Sequence, residues 1–193
     1  KILEIFGRKL EQQHIFINIE EEAIIKGKRF RDHPNIDNAV ELVSLIRQAV
    51  QEVFGINPFI VQCHTVIAML LHRINRDKRK NVKGRIAQVA TGEGKSIIIA
   101  MLASCIALKG CFVDIVSSSV YLVKRDSMKY SKLYEKLGLS CGFLLESSSK
   151  YEFDYNIIYS TNSGFEFAFL REGIRGETMI ESTQLFENIE KYF

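Results

Sequence analysis

The sequence predicts an α/β fold: a doubly wound, mostly parallel sheet with helices on both faces, preceded by a helical segment. Three observations lead there. Beyond residue 85, short strand-like stretches alternate with longer helical ones, as they do where crossover helices join parallel strands. A glycine-rich turn, Thr91-Gly92-Glu93-Gly94-Lys95-Ser96, joins the first strand-like stretch, 85–90, to a long apolar one, 97–108. Apolar residues make up 47% of the 193 residues, enough for a continuous core, and this composition argues against a disordered chain.

Two regions are expected, an N-terminal segment over 1–35 and a main domain over 36–193. In the first, Leu3, Phe6 and Leu10 fall at helical spacing, and 15–19 fits either a strand or a helix turn. Glu20, Glu21 and Glu22 read as a solvated face, and the basic cluster over 26–31 as a surface loop. Asp32-His33-Pro34-Asn35 marks a break, after which Asp37 or Asn38 can cap a helix. Val40, Val43, Ile46, Val50 and Val53 recur at steps of three and four, and Leu42, Leu45 and Ala49 widen the stripe into a strongly amphipathic helix. Gly55 ends it, with Pro58 just beyond. A second apolar helix is expected from about 59 to 74.

The third helix is the apolar stretch 97–108, closed by Lys109-Gly110. Residues 111–116 read as a strand, and Ser117-Ser118-Ser119 as the cap of a helix over 120–137 that stops at Gly138. Residues 139–145 make a further strand, 146–153 a polar loop, and 154–161 the last strand. The stretch 162–173 is helical or turning, with Phe165, Phe167, Phe169 and Leu170 expected in the core. A terminal helix is expected over 177–193.

The glycine turn carries the chemistry. A strand, a glycine loop and a helix in that order gather backbone N–H groups and a helix N-terminus around one anion. Gly92 and Gly94 can take positive φ and let a phosphate approach the main chain. Lys95 supplies a compact cation for the β- and γ-phosphates, and the Ser96 hydroxyl suits Mg²⁺. The full phosphate-loop (Walker A) pattern has a further glycine where Val89 stands, so a plain surface turn is the competing reading. Gln62, in the first turn of the second helix, can donate and accept at once and so match the N6/N7 edge of adenine; otherwise it is structural.

Other features exclude more than they assign. A net charge of +3 does not by itself imply nucleic acid. Residues 73–85 hold seven Lys or Arg and one acid, Asp77. They fit a solvated connection, or a patch for anionic lipid or nucleic acid, and the lack of interleaved aromatics argues against single-strand binding. Cys63, Cys105, Cys111 and Cys141 form no Cys-x-x-Cys pair and sit in apolar stretches, so buried free thiols in a reducing compartment are expected. The longest apolar run is shorter than the ~20 residues that span a bilayer, and the N-terminus has no signal-peptide pattern. The chain opens on Lys1, as a piece of a longer protein would.

Four stretches, in this order, resemble the first nucleotide-binding domain of the SecA family of protein-translocating motor ATPases. They are Gly55-Ile56-Asn57-Pro58-Phe59-Ile60-Val61-Gln62; Ala90-Thr91-Gly92-Glu93-Gly94-Lys95-Ser96; Tyr121-Leu122-Val123-Lys124-Arg125-Asp126 with its continuation over 133–140; and Tyr159-Ser160-Thr161-Asn162 followed by Phe169-Leu170-Arg171-Glu172. The resemblance covers roughly 36–173. It implies a P-loop NTPase fold of the RecA-like, DEAD-like type, with ATP and Mg²⁺ as cofactors. Gln62 would read adenine with Phe59 near the base, and Thr91, Gly92, Glu93, Gly94, Lys95 and Ser96 would hold phosphates and, through Ser96, the metal. Arg125, Asp126, Thr161, Asn162 and Arg171 would couple nucleotide state to neighbouring domains. The partners implied are further domains of the parent chain, a preprotein and a membrane translocon, in a cytoplasmic or peripheral membrane setting, with nucleic acid disfavoured. The chain departs from the family at Ser119-Val120, Glu166, Ala168 and Gly173, and in a longer Gln62 to Lys95 spacing. No Asp-Glu pair on an apolar strand follows Gly173.

Three functions follow for testing. One is the ATP-binding part of a translocation motor, whose hydrolysis belongs to the full-length parent and is weak or absent in this chain alone. Another is a catalytically incomplete module that binds protein partners. The last is a helicase-type domain, against which Ser117-Ser118-Ser119-Val120 stands where helicases carry Pro-Thr-Arg-Glu.

Overall fold

A computed structural model describes residues 18–71, 86–145 and 155–175, with side chains to residue 170. The expected helix at Leu3, Phe6 and Leu10, the basic stretch 73–85, the loop 146–153 and the helix 177–193 lie outside the described residues.

The first described helix, α1 (Ile19–Asp32), runs through the basic cluster that the sequence suggested was a loop. Ile19, Ala23, Gly27 and Phe30 are its buried residues, one per turn. The basic side chains point away from that stripe: Lys26 and Arg29 reach Glu41 at 3.5 and 3.2 Å. Gly27 has a packing reason. A Cβ there would run into the carbonyl group and Cβ of Leu108, so the two helices approach main chain to main chain.

Helix α2 (Ile36–Phe54) is the central one. Its cap is Asn35, whose side chain accepts the Asn38 N–H at 2.8 Å, three residues ahead as capping geometry requires. The expected caps, Asp37 and Asn38, sit inside the helix instead, and the Asn38 amide donates back to the His33 carbonyl at 2.7 Å. Asn35→Ala removes one satisfied N–H and is expected to cost about 1 kcal/mol, read from urea unfolding. Leu42, Val43, Leu45, Ile46 and Val50 are fully buried, each contributing about 1.5–3 kcal/mol of hydrophobic stabilisation. Val53 is only half-buried.

Helix α3 (Ile60–Leu71) follows a short extended link, which Arg47 of α2 fixes by donating to the Pro58 carbonyl at 3.0 Å. Helix α4 (Lys95–Leu108) starts on the loop lysine itself. Then come β1 (Val113–Ser117), α5 (Val120–Lys136), β2 (Cys141–Phe143), β3 (Ile157–Thr161) and α6 (Asn162–Arg175). Ser119 caps α5 through the Leu122 N–H at 3.3 Å, as expected of the serine run.

The sheet is parallel and open, in the order β1-β3-β2, with Val113 opposite Ile157 and Ser117 opposite Thr161. Alternation along β3 sends Ile157 and Tyr159 into the main core with α1 to α5, and Ile158 into a second cluster with Leu144 and Ala168. Helices therefore cover both faces, as a doubly wound α/β fold requires. In the main core the hydroxyls of Tyr134 and Tyr159 meet at 2.7 Å, so neither is buried without a partner.

Two further expectations fail. The strand expected over 85–90 is absent: 86–90 carry no strand, and Ile86 is fully exposed. A strand exists through its neighbour's hydrogen bonds, and no described residue pairs with this stretch. The aromatics of α6 are not core-forming as a set. Phe165 packs beside Ala168, but Phe167, Phe169 and Leu170 are 47%, 76% and 53% exposed. A helix lying on one side of a narrow sheet buries a single stripe, and Gly164, Phe165 and Ala168 take it.

All four cysteines are free; Cys63 and Cys105 are buried, but Cys111 and Cys141 only half so. Burial pushes the Cys63 thiol up to about 11 and the Cys141 thiol up to about 12. Native alkylation at pH 8, read by mass spectrometry, is expected to label Cys111 and to spare Cys63 and Cys105. A thiol whose folded pKa is raised keeps its proton while the unfolded chain loses one, so the unfolded state binds fewer protons. Stability therefore falls as pH rises beyond the ordinary thiol value, and denaturant midpoints at pH 8 and pH 10 measure the drop.

Candidate functional site

The site is built from the two segments that meet at the N-terminus of α4. That helix connects to β1 by a tight turn, so it runs opposite to the strand and its N-terminus lies toward the edge where the parallel strands end. Open α/β sheets bind ligands at that edge. Gly92 and Gly94 have φ of 89° and 76°, values that side-chain-bearing residues rarely adopt. With Gly94 as the N-cap, Ile97 and Ile98 both donate to the Gly94 carbonyl, at 3.1 and 3.3 Å. The N–H groups of Lys95 and Ser96 fall in the turn that has no intrahelical acceptors, and α4 carries neither a side-chain cap bond nor an acidic residue in its first turn. That end is electropositive.

Lys95 is exposed, and its ammonium donates to the carbonyls of Val89 and Ala90 at 3.2 and 3.1 Å. It thus lies over the loop it follows, tethering it by bonds that an incoming anion can replace. Ser96 is half-buried beside it, and Thr91, Gly92 and Glu93 are exposed. Positive-φ glycines, first-turn amides, one ammonium and one hydroxyl together fit a polyphosphate. Among the described residues no group of three or more His, Cys, Asp or Glu is placed to hold a metal ion.

Gln62 lies under the loop. It is 7% exposed; its Oε1 accepts the Phe59 N–H at 2.9 Å and its Nε2 donates to the Glu93 carbonyl at 2.9 Å. The first bond closes the N-terminus of α3, since a glutamine at the third helical position reaches back to the cap amide. Phe59 is 71% exposed, open to a flat ligand but touching none of the loop in any hydrogen bond other than through Gln62. The loop-side partners of Gln62 and Lys95 are main-chain carbonyls, which no residue pattern advertises.

The remaining predicted residues stand apart. Arg125 and Asp126 pair with each other at 2.8 Å on the surface of α5. The Thr161 hydroxyl accepts the Gly164 N–H at 3.1 Å, which makes it the cap of α6. The Asn162 amide donates to Glu166 at 2.6 Å. The Arg171 side chain lies outside the described residues. Thr161 is the last residue of β3 and Ser119 lies just beyond β1, and the two strands end in register at Ser117 and Thr161, so the α5 and α6 caps share the sheet edge toward which α4 begins.

The fold and the loop define an α/β domain with a glycine turn at the head of a buried helix. Within that class, the family model of the SecA DEAD-like domain matches residues 10–186. The chain belongs to the SecA DEAD-like domain family. It is 30% identical over 168 residues to the chloroplastic protein translocase subunit SecA of Ostreococcus lucimarinus, covering 82% of this chain and 17% of that protein. It is 31% identical over 159 residues to the SecA subunit of Wolinella succinogenes, covering 80% and 17%. With that of Diacronema lutheri it shares 33% over 154 residues, covering 77% and 16%. The chain thus spans about a sixth of the length of these curated relatives. No helix among the described residues is long and apolar enough to cross a membrane.

Proposed function

We propose that this chain is the ATP-binding domain of a SecA-like protein translocase motor, holding the polyphosphate of ATP at Gly92, Glu93, Gly94, Lys95 and Ser96. What carries the reading is the combination of two positive-φ glycines with a lysine and a serine at the first turn of a buried helix. Mg²⁺, when bound with the nucleotide, would lie at Ser96 and neutralise phosphate charge. The residues of the chain have narrower tasks. First-turn amides orient the phosphates, Lys95 exchanges two carbonyls for phosphate oxygens, and Phe59 offers an exposed ring to the base. Coupling to translocation would run through the α5 and α6 caps at the shared sheet edge, with Arg125, Asp126, Thr161, Asn162 and Arg171 as its residues. The wider partners, a preprotein and a membrane translocon at a cytoplasmic membrane surface, follow from the family only. Calorimetric titration tests the core of this: ATP binds at one site and AMP, without β- and γ-phosphates, more weakly. Equal affinity for the two contradicts it.

One observation favours a second reading, a SecA-like module that binds partners without turnover. Glu166, which departs from the family pattern, occupies the amide of Asn162 and so holds a residue of the proposed coupling motif. ATP binding without partner-stimulated hydrolysis, restored by Glu166→Gly, is its expected signature.

A further inference from the structure

We infer that Gln62 is a positioning residue for the phosphate loop, and that it aims the loop's amides rather than only reading a base. This rests on the nucleotide reading above. The carboxamide is buried, and each of its two atoms is bonded to main chain: Oε1 to the Phe59 N–H and Nε2 to the Glu93 carbonyl, both at 2.9 Å. The second bond spans 31 residues and joins the first turn of α3 to the loop. A Cβ on Gly94 would meet that same Nε2, so the side chain lies directly against the loop's main chain.

The consequence comes from the planarity of the peptide bond. In a trans peptide the C=O of Glu93 and the N–H of Gly94 point in opposite directions. Holding the carbonyl toward α3 therefore turns the Gly94 N–H away from α3. The link Asn57-Pro58-Phe59 is itself fixed, because Arg47 holds the Pro58 carbonyl. Rigid helix α2, the link, Gln62 and the loop form one connected support. A preformed donor array binds an anion with less ordering cost than a loose one.

The experiment uses the whole chain and two probes, Mg-ATP and Mg-tripolyphosphate, which has no base. Gln62→Met keeps the volume and removes both hydrogen bonds. Gln62→Glu keeps the Phe59 bond and sets an oxygen against the Glu93 carbonyl. Both variants are expected to weaken tripolyphosphate as well as ATP, by about two- to tenfold for a lost hydrogen bond. Backbone order parameters at Gly92, Glu93 and Gly94, measured by NMR relaxation without ligand, are expected to fall in both. Loss of ATP affinity with tripolyphosphate affinity and loop order unchanged makes Gln62 a base reader alone and overturns the inference. Should the wild-type chain bind neither probe, the nucleotide reading fails, and the order parameters still decide: an unchanged loop overturns the positioning role, a loosened one upholds it.

Discussion

Replacing Lys95 by alanine is expected to lower ATP affinity by more than tenfold while leaving the fold in place. Each charge-assisted hydrogen bond to a phosphate contributes about 1.5–3 kcal/mol, and about 1.4 kcal/mol is a factor of ten. The stability cost is small because the side chain is exposed and its two bonds go to the Val89 and Ala90 carbonyls at the surface of the loop. The two effects separate cleanly: calorimetry reads the first, and a urea midpoint within about 0.5 kcal/mol of wild type, as for ordinary surface changes, reads the second. Equal ATP affinities would remove Lys95 from the site.

The second large effect is on the fold. Gly27→Val is expected to destabilise the chain by about 3 kcal/mol or more. Valine is a better helix former than glycine by a few tenths of a kcal/mol, which favours the variant. Against that stands a collision. Even a bare Cβ at Gly27 meets the carbonyl carbon, the carbonyl oxygen and the Cβ of Leu108, and two more methyls deepen it. Backbone cannot move aside as a side-chain tip can, and overpacking costs about 1–3 kcal/mol, occasionally more. The collision wins because α1 and α4 would have to separate, with Phe30 and Leu108 both in the core they share. A thermal midpoint unchanged from wild type would show that the approach of the two helices is not required.

Gly27 also explains why α1 was hard to read. Its buried stripe is Ile19, Ala23, Gly27 and Phe30, and two of those four carry almost no hydrophobic signal. They are there for closeness, not for apolar area, while Lys26, Lys28, Arg29 and Arg31 dominate the composition. Helix α2 was legible because its stripe is made of Val, Leu and Ile at regular steps. The parallel sheet was legible for a similar reason, since β1 and β3 each lead directly into a capped helix. The strand expected before the loop was not, because strand formation depends on a partner that local sequence does not contain. The exposed Phe167, Phe169 and Leu170 mislead in the same way: residue type gives an affinity for a core, and only the neighbouring surface decides whether one is present.

At the site, the sequence marked the residues of the turn but not the main-chain atoms that hold them. Gly92, Gly94, Lys95 and Ser96 stand at the head of α4 as their order implies. Gln62 was picked out for its two-sided amide, and both sides are used, though on Phe59 and Glu93 main chain. Thr161 and Asn162 have local partners, Gly164 and Glu166, which composition alone could not foretell.

The most direct measurement of the central claim is amide mapping by NMR during titration with Mg-ATP. The largest shifts are expected at the backbone N–H groups of Gly92, Gly94, Lys95 and Ser96, saturating at one equivalent and absent in Lys95→Ala. Shifts confined to other surfaces, with those four amides unmoved, would contradict it.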